Sequence, residues 1–262
     1  MSIKQYGRFL TDNSVENSDI SSDFYVASDI NNRVCYLQMA ECSGLTCYDS
    51  TIYSGDATIS GPTWLAAKNR IGSRLHFDGV DDKVIIPHSS QINVGAIGQS
   101  YSIEFMVKVN AANIPGVEWQ DHFVIKPSNP LVNYPYSFIV RNIGETPPGG
   151  LEFRVYQGPP DAIQLFSTIT IADGLWHHIV GVRDASNKLI LLYIDGVFNA
   201  QTTDTTTLSC ENTDPAIIGT AIGAFTGFVD EFSIYNIALS AQEIDNRYKT
   251  LQFKFGNRYL NY

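Results

Sequence analysis

Between residues 101 and 109 apolar side chains fall on every second position. Tyr101, Ile103, Phe105, Val107 and Val109 alternate with Ser102, Glu104 and Lys108, and Met106 is the one apolar residue on the other face. A period of two belongs to a strand with one buried face, not to a helix. Leu151, Phe153 and Val155 alternate with Glu152 and Arg154 in the same way. Further strands are expected at 74–78, 82–87, 122–126, 136–141, 165–171, 178–183, 188–194, 216–219 and 227–235. Asp195-Gly196, between LILLYI and VFNA, predicts a type I′ hairpin, because both turn residues must accept positive φ. Asp78-Gly79 predicts a slightly longer turn, since VDD follows at once. One helix is expected, from about 241 to 249. There Ser240 and Glu243 form a capping box in which each side chain satisfies the other's backbone N–H. About a dozen strands without βαβ alternation predict an all-β, antiparallel two-sheet sandwich.

The chain has 262 residues, 44% of them apolar, enough for one sizeable core. Its 27 acidic and 17 basic side chains leave a net charge of −10 with no Lys/Arg cluster, which argues against a nucleic-acid ligand. No run approaches the ~20 apolar residues of a spanning helix. The polar, acidic N-terminus does not read as an export signal, and no Asn-x-Ser/Thr sequon is present. The expected organisation is an arm over 1–33, a sandwich over 34–250 and a tail over 251–262, whose LQFKFGNRYLNY carries aromatic residues suited to docking. Synthesis in a cytoplasm is expected, with release by lysis, by a non-signal route or as part of a particle.

Cys35, Cys42 and Cys47 cluster near the start and Cys210 stands alone. Gaps of six and four residues with no neighbouring His do not fit a zinc site, leaving small buried side chains or one Cys42–Cys47 disulfide. Pro-rich loops at 127–135 and 144–150 are surface excursions of the kind that carry binding function. Trp119, Tyr134 and Tyr136 lie in or beside loops and are the aromatic candidates for a sugar platform; packing loops onto the sandwich is the competing role.

Four segments follow one another in order: LHFDGVDDKVIIP (75–87), YSIEFMVKV (101–109), GLWHHIVGVRDASNKLILLYIDG (174–196) and IIGTAIGAFTGFVDEFSIYNIALSAQEIDNRY (217–248). With YLQMAECSGLTCYDSTIYSGDATISGPTW (36–64) as an opening strand and loop, the chain resembles the laminin-G-like, concanavalin A-like jelly-roll family over about 34–250. The resemblance implies a jelly-roll sandwich with Phe77, Val84, Trp64 and Trp176 in its core. It also implies a structural calcium near the opening loop, with Asp49, Asp56 and Asp230 as ligands; hydrogen-bonded structural carboxylates are the alternative. Ile52 and Tyr53 stand where the family has Gly and Asn. On a regular strand Asp230 shares a face with Phe232 and Ile234, opposite Val229, Glu231, Ser233 and Tyr235.

Catalysis finds no constellation. Glycoside hydrolases of this fold need paired carboxylates on one strand, and the only local match, Glu243-Ile-Asp245, falls on the expected helix. Asp81-Asp82 and Asp230-Glu231 are adjacent pairs, expected to diverge on strands. His177-His178 reads as a structural pair beside Trp176, and His76, His88 and His122 are scattered. The expected function is therefore non-enzymatic. It is a structural or adhesion protein of a virion (capsid decoration, head fibre or tail) or an extracellular surface, displaying a carbohydrate-binding type of domain. It would dock to other particle subunits through its arm and tail. The alternative is a secreted or cell-surface glycan-binding module of a polysaccharide-degrading system.

Overall fold

A computed structural model describes residues 32–66, 73–114, 116, 122–128, 133–159, 162–222 and 225–255. Two antiparallel sheets of eight strands each face one another. The first runs β14 (Val197–Thr203), β13 (Leu189–Ile194), β12 (Trp176–Asp184), β7 (Tyr101–Lys108), β16 (Thr226–Tyr235), β5 (Ser73–Asp78), β4 (Thr63–Ala66). β1 (Arg33–Leu37) pairs with the C-terminal half of β16, beyond the stretch paired with β5. The second runs β11 (Ala162–Thr170), β10 (Gly150–Tyr156), β9 (Tyr134–Val140), β8 (His122–Ile125), β15 (Ala216–Ile222), β6 (Lys83–Ile86), β3 (Ala57–Ser60), β2 (Thr46–Cys47). Helix α1 (Ala241–Phe255) packs on the outer face of the first sheet. No helix among the described residues is long and apolar enough to cross a membrane.

Alternation places one face of most long strands in a shared interior; edge strand β14 contributes only the partly buried Ala200. Phe153, Phe138, Phe105, Phe123, Phe225 and Phe77 form a chain of ring contacts across it, with centroids 4.6–5.6 Å apart. Phe77 and Val84 are both fully buried, but on different sheets, so the turn after Asp78 carries the chain from one layer to the other. Asp195 and Gly196 have φ of 54° and 76°, as the I′ hairpin requires. Gly181 must be glycine for another reason: a Cβ there would lie 2.5 Å from Phe138 Cζ and 3.0 Å from Phe153 Cε1.

The structure departs from the sequence-based expectations at several positions. β7 is buried on both faces, not one, because α1 and its approach cover the first sheet. Trp176 is buried with Met106, Phe228 and Leu251 under that helix, outside the inter-sheet core; Trp64 is half-buried against the core, its indole N–H donating to Gly44 O at 2.8 Å. A bulge in β16, with Glu231 at φ 54°, shifts the alternation, so Val229, Phe232 and Ile234 all join the core and Asp230 sits in the bulge itself. The helix continues past 249 to Phe255, since Leu251 still has the Trp176 cluster to cover, so the expected tail begins inside it. Arg33 likewise belongs to β1; residues 1–31 and 256–262, the rest of arm and tail, lie outside the described residues. The capping box forms: Ser240 N–H donates to Glu243 Oε2 at 2.7 Å and Glu243 N–H to Ser240 Oγ at 3.3 Å.

Beneath α1 lies a buried polar hub. Glu104 on β7 accepts from Tyr235 O–H on β16 at 2.6 Å and from Arg247 Nη1 on α1 at 3.4 Å, and His178 Nε2 on β12 lies 2.8 Å from its other oxygen. Arg247 also donates to Tyr235 Oη at 2.6 Å and stacks over its ring. Arg33 on β1 lies over the Tyr36 and Tyr235 rings. Burial pushes the Glu104 carboxyl up, but His178, Arg33 and Tyr235 outweigh it and hold the group below its ordinary value. This stabilisation is present above the unfolded carboxyl range and is lost as pH falls through the lowered folded value.

Two substitutions test this packing in urea unfolding. Gly181→Ala overpacks the Phe138–Phe153 stack and costs about 1–3 kcal/mol; an unchanged midpoint would contradict the contact. Glu104→Gln leaves buried cations without their counter-charge and costs about 3–5 kcal/mol; a cost under about 1 kcal/mol, the scale of an exposed pair, would reduce the hub to surface electrostatics.

Candidate functional site

Residues directly opposite across a ladder share a face. In the second sheet, Phe153, Phe138, Val124, Ile218, Val84 and Ile59 line up across β10, β9, β8, β15, β6 and β3 on the core side. One residue along, Arg154, Ser137, Ile125, Ile217, Ile85 and Thr58 line up on the outer side. This face carries no helix among the described residues, in contrast to the first sheet.

Its β8–β11 end gathers aromatic and planar polar groups. Tyr156 stands opposite Tyr134, ring centroids 5.2 Å apart, and His122 meets Tyr134 edge-on at 6.3 Å. Arg154 Nε donates to Glu152 Oε1 at 2.5 Å, Gln164 Nε2 donates to the same oxygen at 3.0 Å, and Arg154 also hydrogen-bonds Tyr134. Phe166 lies opposite Glu152 and Gln164 opposite Arg154, so both join this face from the edge strand. Tyr134, Glu152 and Arg154 are buried, whereas Gln164 is exposed and Phe166 is 40% exposed under the Arg141 guanidinium, which makes the β11 side the approach. His122 Nδ1 shares a 2.6 Å hydrogen bond with Ser137 Oγ. Burial, then the Arg154 charge, lowers its pKa to about 4, so the ring is neutral at pH 7.

Of the aromatic candidates, Tyr134 stands on this face, within β9 and not in a loop. Tyr136, two residues on but across the bulged register, is fully buried in the core against Tyr101 and cannot meet a ligand. Trp119 lies outside the described residues. Tyr156, His122, Arg154, Glu152, Gln164 and Phe166 were not singled out as a site by the sequence. The polar alternation of Glu152 and Arg154 within LEFRVY was their only signal.

The acidic candidates serve the backbone. Asp49 Oδ1 accepts the Tyr36 and Thr51 N–H groups at 3.0 and 2.9 Å, and Oδ2 accepts Thr51 Oγ1–H and Gly55 N–H at 3.0 Å each. A carboxylate has about four acceptor sites, and here protein donors take them, so Asp49 does not fit a calcium ligand. Asp56 Oδ1 accepts Asp49 N–H at 3.0 Å, and Asp230 Oδ1 accepts Glu231 N–H at 3.1 Å. Asp81 and Asp82 sit in the β5–β6 turn and not on a strand. With Asp78 they bring three carboxylate oxygens within 4.8 Å of one another, so the expected divergence fails there. Asp82 is itself tied down, accepting Asp78 N–H at 2.8 Å. Glu243 caps α1 and Asp245 pairs with Lys249 at 2.6 Å. His178 belongs to the Glu104 hub, while His177 bridges two aspartates. All four cysteines are free thiols: Cys35, Cys47 and Cys210 are buried, and Cys42 is exposed.

The model of the concanavalin A-like lectin/glucanases superfamily (Laminin_G_3) matches residues 78–245, more than half of the chain, and the chain belongs to that family. No curated protein matches the chain. Among solved structures, the binding domain of Paraclostridial Mosquitocidal Protein 1 is 18% identical with a TM-score of 0.69, over 84% of this chain and 52% of that one. The receptor binding domain of botulinum neurotoxin D is 14% identical with a TM-score of 0.67, over 84% and 53%. The binding domain of botulinum neurotoxin DC, solved in complex with SialylT, is 16% identical with a TM-score of 0.64, over 86% and 53%. At these identities the likeness is one of fold, and the chain spans about half the length of each.

The neutral, buried His122 gives a direct check. Its ring protons should titrate in NMR with a midpoint of about 4. Because the folded value lies below the unfolded one near 6.5, this group weakens the fold as pH drops between the two. A midpoint near 6.5 would mean an open, solvated ring.

Proposed function

We propose that the chain is a non-catalytic recognition domain that binds glycan on the outer face of its second sheet. The observation that carries this is the accessible edge formed by Phe166, Gln164 and the half-buried Tyr156, held from behind by the buried Tyr134, Arg154 and Glu152. Sugar rings lay their C–H faces on aromatic rings while their hydroxyls bond planar side chains, and a site of this composition suits both. Glycoside hydrolysis needs two carboxyl groups about 5–9.5 Å apart. Among the described strand residues of this face Glu152 is the only carboxylate, and Arg154 and Gln164 already engage it. A like fold, the binding domain of botulinum neurotoxin DC, has been solved both with SialylT and with rat synaptotagmin II, which supports a recognition role; the choice of a glycan rests on the composition of the face.

The setting we propose is the surface of a virion or another extracellular surface, with other subunits meeting the arm and tail. The acidic, Ser/Asn-rich segment before β1 and the aromatic residues of 251–262 support it. Cross-linking within the native assembly should join 1–33 or 251–262 to neighbouring subunits; links confined to the chain's own sandwich would remove this setting.

A broad glycan array, run with and without calcium, tests the recognition reading. Binding should survive chelation, since Asp49 offers no open oxygen. Gln164→Ala with Phe166→Ala, both at exposed positions, should weaken it about tenfold or more, the effect of losing about 1.4 kcal/mol of contact. A blank result across the panel would overturn the reading.

A further inference from the structure

The end of the sandwich where the β13–β14 turn meets the segment entering β12 holds a histidine that the recognition face does not use. His177 is 7% exposed. Its Nδ1 lies 2.8 Å from Asp195 Oδ2 on the hairpin turn, and its Nε2 lies 3.1 Å from Asp173 Oδ1 on the turn before β12. A neutral imidazole has one N–H and one lone pair. It can donate to only one of these carboxylates and must point its lone pair at the other. Only the imidazolium donates to both.

The two carboxylates also set the local backbone. Asp195 Oδ1 accepts His178 N–H at 2.9 Å, and Asp173 Oδ1 accepts Leu175 N–H at 2.8 Å. Each element packed around the ring contributes a charged or titratable group. Lys108 on β7 acts on Asp173, Tyr248 on α1 acts on Asp195, and the adjacent His178 is engaged with Glu104. Burial works against the charged ring, but Asp195 and Asp173 outweigh it and raise the His177 pKa above its ordinary value.

We propose that His177 is a pH-sensitive clamp: protonated, it locks the β13–β14 turn to the turn before β12, and neutral, it releases one of them. Apolar side chains border this corner, with Leu175 38%, Val197 67% and Phe198 49% exposed. The clamp therefore sets how rigidly an apolar corner is presented. Since the folded value is raised, the contribution is complete below the unfolded pKa of about 6.5 and is lost as pH rises through the folded value.

NMR on the full chain tests this. The His177 ring should titrate with a midpoint above about 6.5. Hydrogen-exchange protection at the Leu175 and His178 amides, corrected for intrinsic base catalysis, should fall at least about fivefold between about pH 5.5 and about pH 8.5. The Val182 amide in mid-strand should hold steady. His177→Gln should flatten the pH dependence. Asp173→Asn, at a more exposed position, should lower the His177 midpoint. A midpoint at or below about 6.5, or equal protection at the two pH values in the unsubstituted chain, would overturn the clamp.

Discussion

A carboxylate with almost no contact with water sits at the centre of the first sheet. Glu104 is 5% exposed, and an isolated charge in that position would be costly. It is tolerated because His178 from β12, Tyr235 from β16 and Arg247 from α1 converge on it. One side chain thus ties three neighbouring strands to the helix that covers them, and Arg33 brings β1 to the same rings. Removing the charge would loosen elements far apart in sequence, since such networks act as units. That face is covered, whereas the outer face of the second sheet carries no helix among the described residues.

The second sheet divides its labour residue by residue. Phe153 and Phe138 stack at 4.7 Å in the core, while Glu152, Arg154 and Ser137 between them point outward. The planar groups of the proposed recognition face therefore stand on strands whose other side is packed against rings. Groups held on such strands are more firmly positioned than groups on loops. Closure at the sheet edge adds to this: Asn199 on β14 accepts Thr168 N–H at 2.9 Å and donates to Thr168 Oγ1 at 3.0 Å, joining the two sheets beside Phe166.

Much of this architecture was legible in the residues. Period-two alternation located the long strands, the Asp195-Gly196 pair gave the hairpin, and Ser240 with Glu243 gave the helix start. The ordered segments gave the family. What escaped notice were features that need a third dimension. Nothing local in YSIEFMVKV says that a distant helix will bury Glu104 and Met106. The bulge at Asp230-Glu231 breaks the strict alternation that would put Asp230 on one face with Phe232 and Ile234. The outer face of the second sheet was legible only as polar residues alternating with apolar ones; that Tyr134 joins it and Tyr136 does not follows from register alone. The opening-loop aspartates were visible, but their hydrogen bonds to backbone donors were not.

Where a ligand touches this molecule decides whether the second sheet is its recognition face. A two-dimensional NMR titration with a mixed oligosaccharide library, with backbone assignments, locates that contact. The perturbed signals should fall on β10 and β11, around Tyr156, Gln164 and Phe166. Perturbations confined to the 48–56 loop and appearing only with calcium would contradict this placement.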